Sequence, residues 1–284
     1  MILDGLALAR SRAPALAARG QRVAERLGRR PRLVLVAFAD RQGEAAFVAR
    51  KLRACAAAGV DVVPLVLPAE TPSSEAEHAL RTRLSREVVD AVFLEFPFPD
   101  GIDGDALTDL VPAADDVDIM TARRITEYFA APDGLPPLTV SAGLELLDGH
   151  GVDIRGRAGV VVGPDIPFTR MFSEALARRG ARMQPILPAD DADLLQGVQQ
   201  AALVVVAASD PGVVPSTALA AGSICIDVGY FNSGGRGDVD TSGGVAHLGA
   251  FSPVPGGIGP MTVSVLIERV IAFAEQAASV QPLE

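Results

Sequence analysis

The sequence predicts an α/β protein of two α/β lobes with a cleft between them, the second a Rossmann-like parallel sheet. Three observations predict it. Short apolar runs alternate with amphipathic helical segments, the pattern of parallel βαβ units. A loop-rich stretch at Pro132–Pro137 interrupts that alternation, and a new strand-then-glycine start follows at Ala158–Gly163. The length, 284 residues, suits two ordinary domains. The expected boundaries are residues 1–138, completed by a returning C-terminal helix at 261–284, and residues 139–260.

The elements follow in order. Residues 4–28, rich in Ala, Leu and Arg, read as an amphipathic helix, and Arg32–Phe38 as a buried strand. Gly43–Ala58 is helical up to the natural stop at Gly59, and Val60–Leu67 is the next strand. Ser73 or Ser74 is placed to cap a third helix, with acids in its first turn. Val88–Phe96 is a third strand, and Asp100–Pro137 is less regular. Ser141–Gly149 reads as a short helix. In the second lobe, Ala158–Val162, Ala181–Leu187, Leu203–Ala207 and Ile224–Val228 read as strands, with a helix at Thr169–Arg179. Ser233–Gly244 suggests a hairpin, and a long helix runs from Met261 to about Ala277.

Composition narrows the function classes. A formal net charge of −10 argues against a nucleic-acid partner, which needs a basic face. No apolar run reaches the roughly 18 residues of a membrane span, and no signal peptide opens the chain. The expectation is a soluble, cytoplasmic protein with two buried thiols, Cys55 and Cys225. No metal-ligand spacing is present: His78, His150 and His247 are dispersed. Of 25 basic residues, 24 are Arg and one is Lys51. An ammonium loses its proton when desolvated and a guanidinium effectively does not, so a lone lysine is either a chance survivor or one that Arg cannot replace.

Several residues stand out as candidates. Phe47 and Lys51, four apart, share one helix face, as a binding wall with a proton-transfer group or as an ordinary amphipathic turn. Glu95 closes an apolar strand at the carboxyl end where open sheets bind ligands, and the alternative is an exposed terminus. Asp118 is either an acceptor for a heterocycle with N–H donors or part of a solvated acidic loop. Pro253–Thr262 is far more constrained than a structural turn needs, which suggests a ligand-shaping loop. Gly163 and the residues after it make a poor dinucleotide fingerprint, because the second and third glycines are missing and Asp165 is an acid near the phosphate position.

These segments together resemble the bifunctional methylenetetrahydrofolate dehydrogenase/methenyltetrahydrofolate cyclohydrolase family, from about Leu3 to Phe273. The family's Thr-Pro-Val-Pro-Gly-Gly-Val-Gly-Pro-Met-Thr is Ser252–Thr262 with conservative changes. Its Val-Asp-Val-Gly matches Ile226–Gly229, its Ala-Val-Gly-Lys-Pro-Gly resembles Ala207–Gly212, its Asp-Val-Asp-Gly is Asp116–Ile119, and its Tyr-Val-Ala-Ser-Lys is Phe47–Lys51. The resemblance implies a two-step reaction at the carbon bridging N5 and N10 of tetrahydrofolate: hydride passes to NADP or NAD, and water then opens the methenyl bridge. It implies that Lys51 assists proton transfer, that Asp118 holds the pterin, and that Phe47, Pro255, Gly256, Gly257, Ile258, Pro260 and Thr262 shape the folate side. Gly163, Asp165, Thr169, Arg170 and Ser209 fall on the cofactor side. A homodimer is expected by analogy.

The departures from the family are specific. Glu95 stands where the family has Gln, and if it meets Lys51 it should raise the lysine pKa, or itself become the base. The family's Gly-Arg-Ser is Gly163-Pro164-Asp165, and its His-Ser-Lys/Arg-Thr is Leu187–Asp190, so grips for a 2′-phosphate are replaced by acids. The expectation is a one-carbon enzyme with altered or lost NADP use. The alternatives are a fully active NADP-dependent bifunctional enzyme and a non-catalytic folate-binding protein.

Overall fold

The computed structural model describes the backbone of residues 1–39, 44–229 and 235–280, and the side chains of these except 44–48, 50 and 280. Two units are distinguished: Arg12–Leu135 with Val263–Glu284, and Met1–Ser11 with Pro136–Thr262.

In the first unit, α1 (Gly5–Leu27, of which it takes the part from Arg12) leads to β1 (Arg32–Ala39), α2 (Glu44–Ala57), β2 (Asp61–Pro68), α3 (Ser73–Arg86), β3 (Ala91–Leu94), α4 (Gly104–Thr108) and α5 (Ala122–Ala130). The three strands form a parallel sheet in the order β2-β1-β3, with Val36 level with Leu65 and Leu94. The apolar run of β1 is central and buried. β2 lies at the edge, where Pro64 and Pro68 are exposed and cost no ladder bond. Segment 115–117 runs parallel beside β3, with Val92 N–H on the Asp115 carbonyl at 2.7 Å. The core under the sheet includes Val34, Leu80, Leu94 and Leu107.

In the second unit, α6 (Leu138–Gly149), β4 (Ala158–Val162), α7 (Pro167–Arg178), β5 (Arg182–Met183), α8 (Leu194–Gln200), β6 (Leu203–Val206), β7 (Val214–Pro215), β8 (Ile224–Asp227), β9 (Val239–Asp240) and β10 (Ala250–Ser252) precede α9 (Ile258–Val280), whose residues from Val263 on belong to the first unit. Five parallel strands stand in the order β10-β8-β6-β4-β5. The chain leaves β4 toward β5 on one side and then returns to β6 on the other. The topological switch point therefore lies between β4 and β6, and ligands of open α/β sheets bind outside the carboxyl ends there.

Several expectations are corrected. Ser73 is not a cap but the first helical residue, after Pro72, and its hydroxyl accepts the Asp103 N–H at 3.0 Å. Val88–Phe96 shortens to β3, which ends at Leu94, and Ala181–Leu187 reduces to two paired residues plus a bridge at Leu187. The expected hairpin at Ser233–Gly244 is not seen among the described residues: β9 pairs in parallel with distant β7, and positions 233 and 234 lie outside the described residues. The last helix begins at Ile258, before Met261. Pro260 fits there because the N–H groups of a helix's first turn have no intrahelical acceptor.

Candidate active site

Lys51 projects from α2 and is buried, with 3% of its side chain exposed. Its Nζ forms an ion pair with Glu95 Oε2 and lies 4.5 Å from the centroid of the Phe93 ring. β3 supplies both partners: Phe93 is its third residue, and Glu95 follows its end, where the backbone N–H still bonds Val36 O at 2.9 Å. The expected rise in lysine pKa is corrected in sign. Burial, the largest influence, pulls the Lys51 pKa below its ordinary value, although Glu95 and then Asp118 pull it up. One turn on, Cys55 is buried, and its thiol is pushed up to about 12 by desolvation, which makes it inert.

Asp118 is brought to the same sheet end by the parallel pairing of Val92 with Asp116, two residues before Leu94 and Asp118 respectively. Three contacts fix its loop. The buried Asp116 carboxylate accepts the N–H groups of Asp118 at 3.2 Å and Thr121 at 2.8 Å, and the buried Arg269 guanidinium of α9 donates to Val117 O at 2.9 Å. Ile119 takes a φ of +61°, a left-handed conformation costly for a β-branched residue. Leu94, Phe96, Thr108, Asp116, Asp118 and Met120 line a small cavity here. Sequence reasoning missed Arg269, Asp116 and Phe96. The side chain of Phe47, on α2, lies outside the described residues.

The proline–glycine loop is built within the second unit. Val254–Pro255 is cis, Gly256 has a φ of +113°, and Gly257 N–H bonds Pro253 O at 2.7 Å. The start of α1 closes over it: Leu6 N–H bonds Gly256 O at 2.9 Å, and a Cβ on Gly5 would lie 1.8 Å from Gly257 O. Pro255 is exposed. Ile258 is buried in the unit's core, and Thr262 turns its hydroxyl to Ile258 O at 3.1 Å.

The remaining candidates sit at the switch point. Gly163 follows β4 so closely against β6 that a Cβ would lie 2.4 Å from Ala207 O. Thr169 is wholly buried, its hydroxyl 2.5 Å from Pro164 O, and it shapes the turn from within. Asp165 grips Arg170 in a two-pronged ion pair at 2.6 and 2.8 Å, both side chains more than half exposed. After β6, Ser209 is exposed with a φ of +57°, and the N–H groups of Ala208, Ser209 and Asp210 converge on the Asp238 carboxylate at 2.8, 3.3 and 2.9 Å. Asp227 in turn accepts from Gly229, Asp238 and Val239, all at 3.0 Å, and its carboxyl is pushed up to about 7, chiefly by burial. The sheet and its switch point suit a dinucleotide. The guanidinium of this turn already holds a carboxylate.

A parallel-sheet unit with a buried lysine–carboxylate pair, joined in one chain to a Rossmann-like sheet, defines a two-unit α/β enzyme. The chain belongs to the tetrahydrofolate dehydrogenase/cyclohydrolase family: residues 3–118 match its catalytic domain and residues 137–278 its NAD(P)-binding domain. It is 35% identical over 288 aligned residues to bifunctional protein FolD 2 of Frankia alni, covering 100% of this chain and 99% of that protein. The structure of the bifunctional FolD methylenetetrahydrofolate dehydrogenase/cyclohydrolase of Campylobacter jejuni superposes with a TM-score of 0.87 at 26% identity, covering 98% of this chain and 99% of that one. The Trypanosoma brucei enzyme, solved with NADP cofactor and inhibitor, gives 0.88 at 27% identity, with 98% of each chain covered. Among the described residues, no helix is long and apolar enough to cross a membrane.

Proposed function

We propose that this chain acts on the N5–N10 one-carbon bridge of 5,10-methylene- or 5,10-methenyltetrahydrofolate, with residues 1–138 and 261–284 as the folate-binding catalytic domain and 139–260 as the nucleotide-binding domain. The observation that carries the reading is the buried Lys51–Glu95 pair at the end of a parallel sheet. Two ionisable groups that share a proton out of bulk water form an acid–base couple.

For hydrolysis of the methenyl bridge, Glu95 takes a proton from water as the water oxygen bonds to the bridge carbon. The carbon–N5 bond then breaks, N5 receives a proton from the Lys51 ammonium, and the formyl group stays on N10. Two protons leave the water, one goes to N5 and one to solvent. Burial makes Lys51 readier to give its proton than an exposed lysine, and Glu95 keeps that proton near at hand. Asp118 is the acceptor for pterin N–H groups, and Phe47 and the Pro255–Thr262 loop are the folate walls. A bound nicotinamide dinucleotide would supply the hydride acceptor for the methylene form.

Asp165 beside Arg170 supports altered or lost NADP use, with NAD retained, over a fully NADP-dependent enzyme. By analogy with the family the protein is a cytoplasmic homodimer, checked by light scattering. The test of function is the ultraviolet decay of 5,10-methenyltetrahydrofolate with the wild-type protein and Lys51→Met. Enzymatic decay lost in the variant supports the reading. Folate binding without turnover in the wild type identifies a non-catalytic binding protein instead.

A further inference from the structure

We infer that Asp165 is a latch that holds Arg170 away from phosphate, so that the second unit selects the dinucleotide with a free ribose diol over its 2′-phosphorylated form. This deepens the proposed function and rests on the reading of that unit as nucleotide-binding.

The strand order puts the ligand position outside the carboxyl ends of β4 and β6. Part of the donor set of the turn after β4 is missing or spent within the turn. Pro164 and Pro167 have no N–H, and the Ile166 N–H is shared between Pro164 O at 3.0 Å and Thr169 Oγ1 at 3.2 Å. The Thr169 hydroxyl is buried inside the same turn. Arg170 is the cation of this turn, and Asp165 takes both prongs of its fork, the geometry in which a guanidinium otherwise receives a phosphate. The turn after β6 repeats the arrangement: its three converging N–H groups form a nest of the kind that receives anions, and Asp238 fills it. Beyond Leu187, which bridges to Val162 at the end of β4, the chain continues through exposed Asp190, Asp191 and Asp193. A ribose hydroxyl donates to such carboxylates, whereas a further phosphate is repelled by them.

Asp165 and Arg170 are exposed, so substituting them leaves the core untouched. The experiment is fluorescence titration of the whole protein with NADH and with NADPH, for wild type, Asp165→Ser, and Asp165→Ser combined with Arg170→Gln. The expected wild-type preference is at least about tenfold for NADH. Asp165→Ser should shift the NADPH-to-NADH affinity ratio by about tenfold toward NADPH, and the double variant should lose that shift. A wild type that prefers NADPH, or a ratio unmoved by Asp165→Ser, overturns the latch. Failure of all three proteins to bind either dinucleotide overturns it equally. Methenyl hydrolysis, followed in the same preparations, needs no dinucleotide, so failure of the folate reading registers separately.

Discussion

Each unit carries a cation held by a carboxylate at the end of a parallel sheet, and the two pairs differ mainly in water. Lys51 is sealed in and lies against Phe93, and its partner Glu95 is only partly exposed. Asp165 and Arg170 stand in solvent. Burial opposes the charged lysine strongly enough to outweigh Glu95, and the proton becomes transferable. In the exposed pair each partner reinforces the other's charge: Arg170 lowers the Asp165 pKa, and Asp165 raises that of Arg170. The same kind of contact therefore leaves one cation easier to deprotonate and the other more firmly charged.

Substitutions sharpen or break this contrast. The largest effect belongs to Lys51→Met, which should lower methenyl hydrolysis by about 10²–10³-fold in the ultraviolet assay. Activity within threefold of wild type would remove the buried pair from the chemistry. Glu95→Gln should cost about tenfold or more and move the lysine limb of the pH–rate profile to lower pH, since it removes the carboxylate that holds the proton.

Backbone strain offers a second contrast. Ile119 and Ser209, one in each unit, both hold positive φ, but Ile119 is buried and Ser209 exposed. Glycine relieves about 1–2 kcal/mol of backbone cost at either site. At Ile119 the lost burial of about 2–3 kcal/mol and glycine's greater chain entropy exceed that relief, so Ile119→Gly should destabilise by about 1 kcal/mol in denaturant unfolding. Ser209→Gly should be neutral to about 1 kcal/mol more stable, and equal effects at both sites would show that burial is not the deciding difference.

A smaller effect is in pH. The unfolded chain keeps the Lys51 proton up to about its ordinary value of 10.5, and the folded chain releases it earlier. Unfolding then takes up a proton, so stability rises with pH through that window, and Lys51→Met should flatten the rise in melting-temperature measurements. Smallest of all, Arg170→Gln should leave the melting temperature unaltered, as expected for a solvated ion pair.

Much of this was legible in the sequence, for identifiable reasons. The apolar runs of β1, β3, β4, β6 and β8 announced buried parallel strands. β7, β9 and β10 have two or three residues each, too few for periodicity to register. α5 escaped although Thr121 caps it, accepting Arg124 N–H at 3.3 Å, and Glu127 pairs with Arg123 and Arg124. Lys51 and Glu95 stood out singly, and the structure brings them together. What the sequence misjudged was the balance between charge and burial at Lys51, which depends on how tightly β3 and its neighbours enclose the amine. Asp238 and Arg269 were invisible because each bonds backbone groups far away in the chain, and no local pattern marks such a partner.

The contact between Gly5 and Gly257 joins the first turn of the chain to a loop about 250 residues later. On a ribosome adding roughly 5–20 residues per second, the opening segment waits on the order of ten to fifty seconds for its partner to be made. The proline–glycine loop is thus among the last parts of the protein to take shape, and a nascent chain carries Lys51 for most of its synthesis before that loop exists.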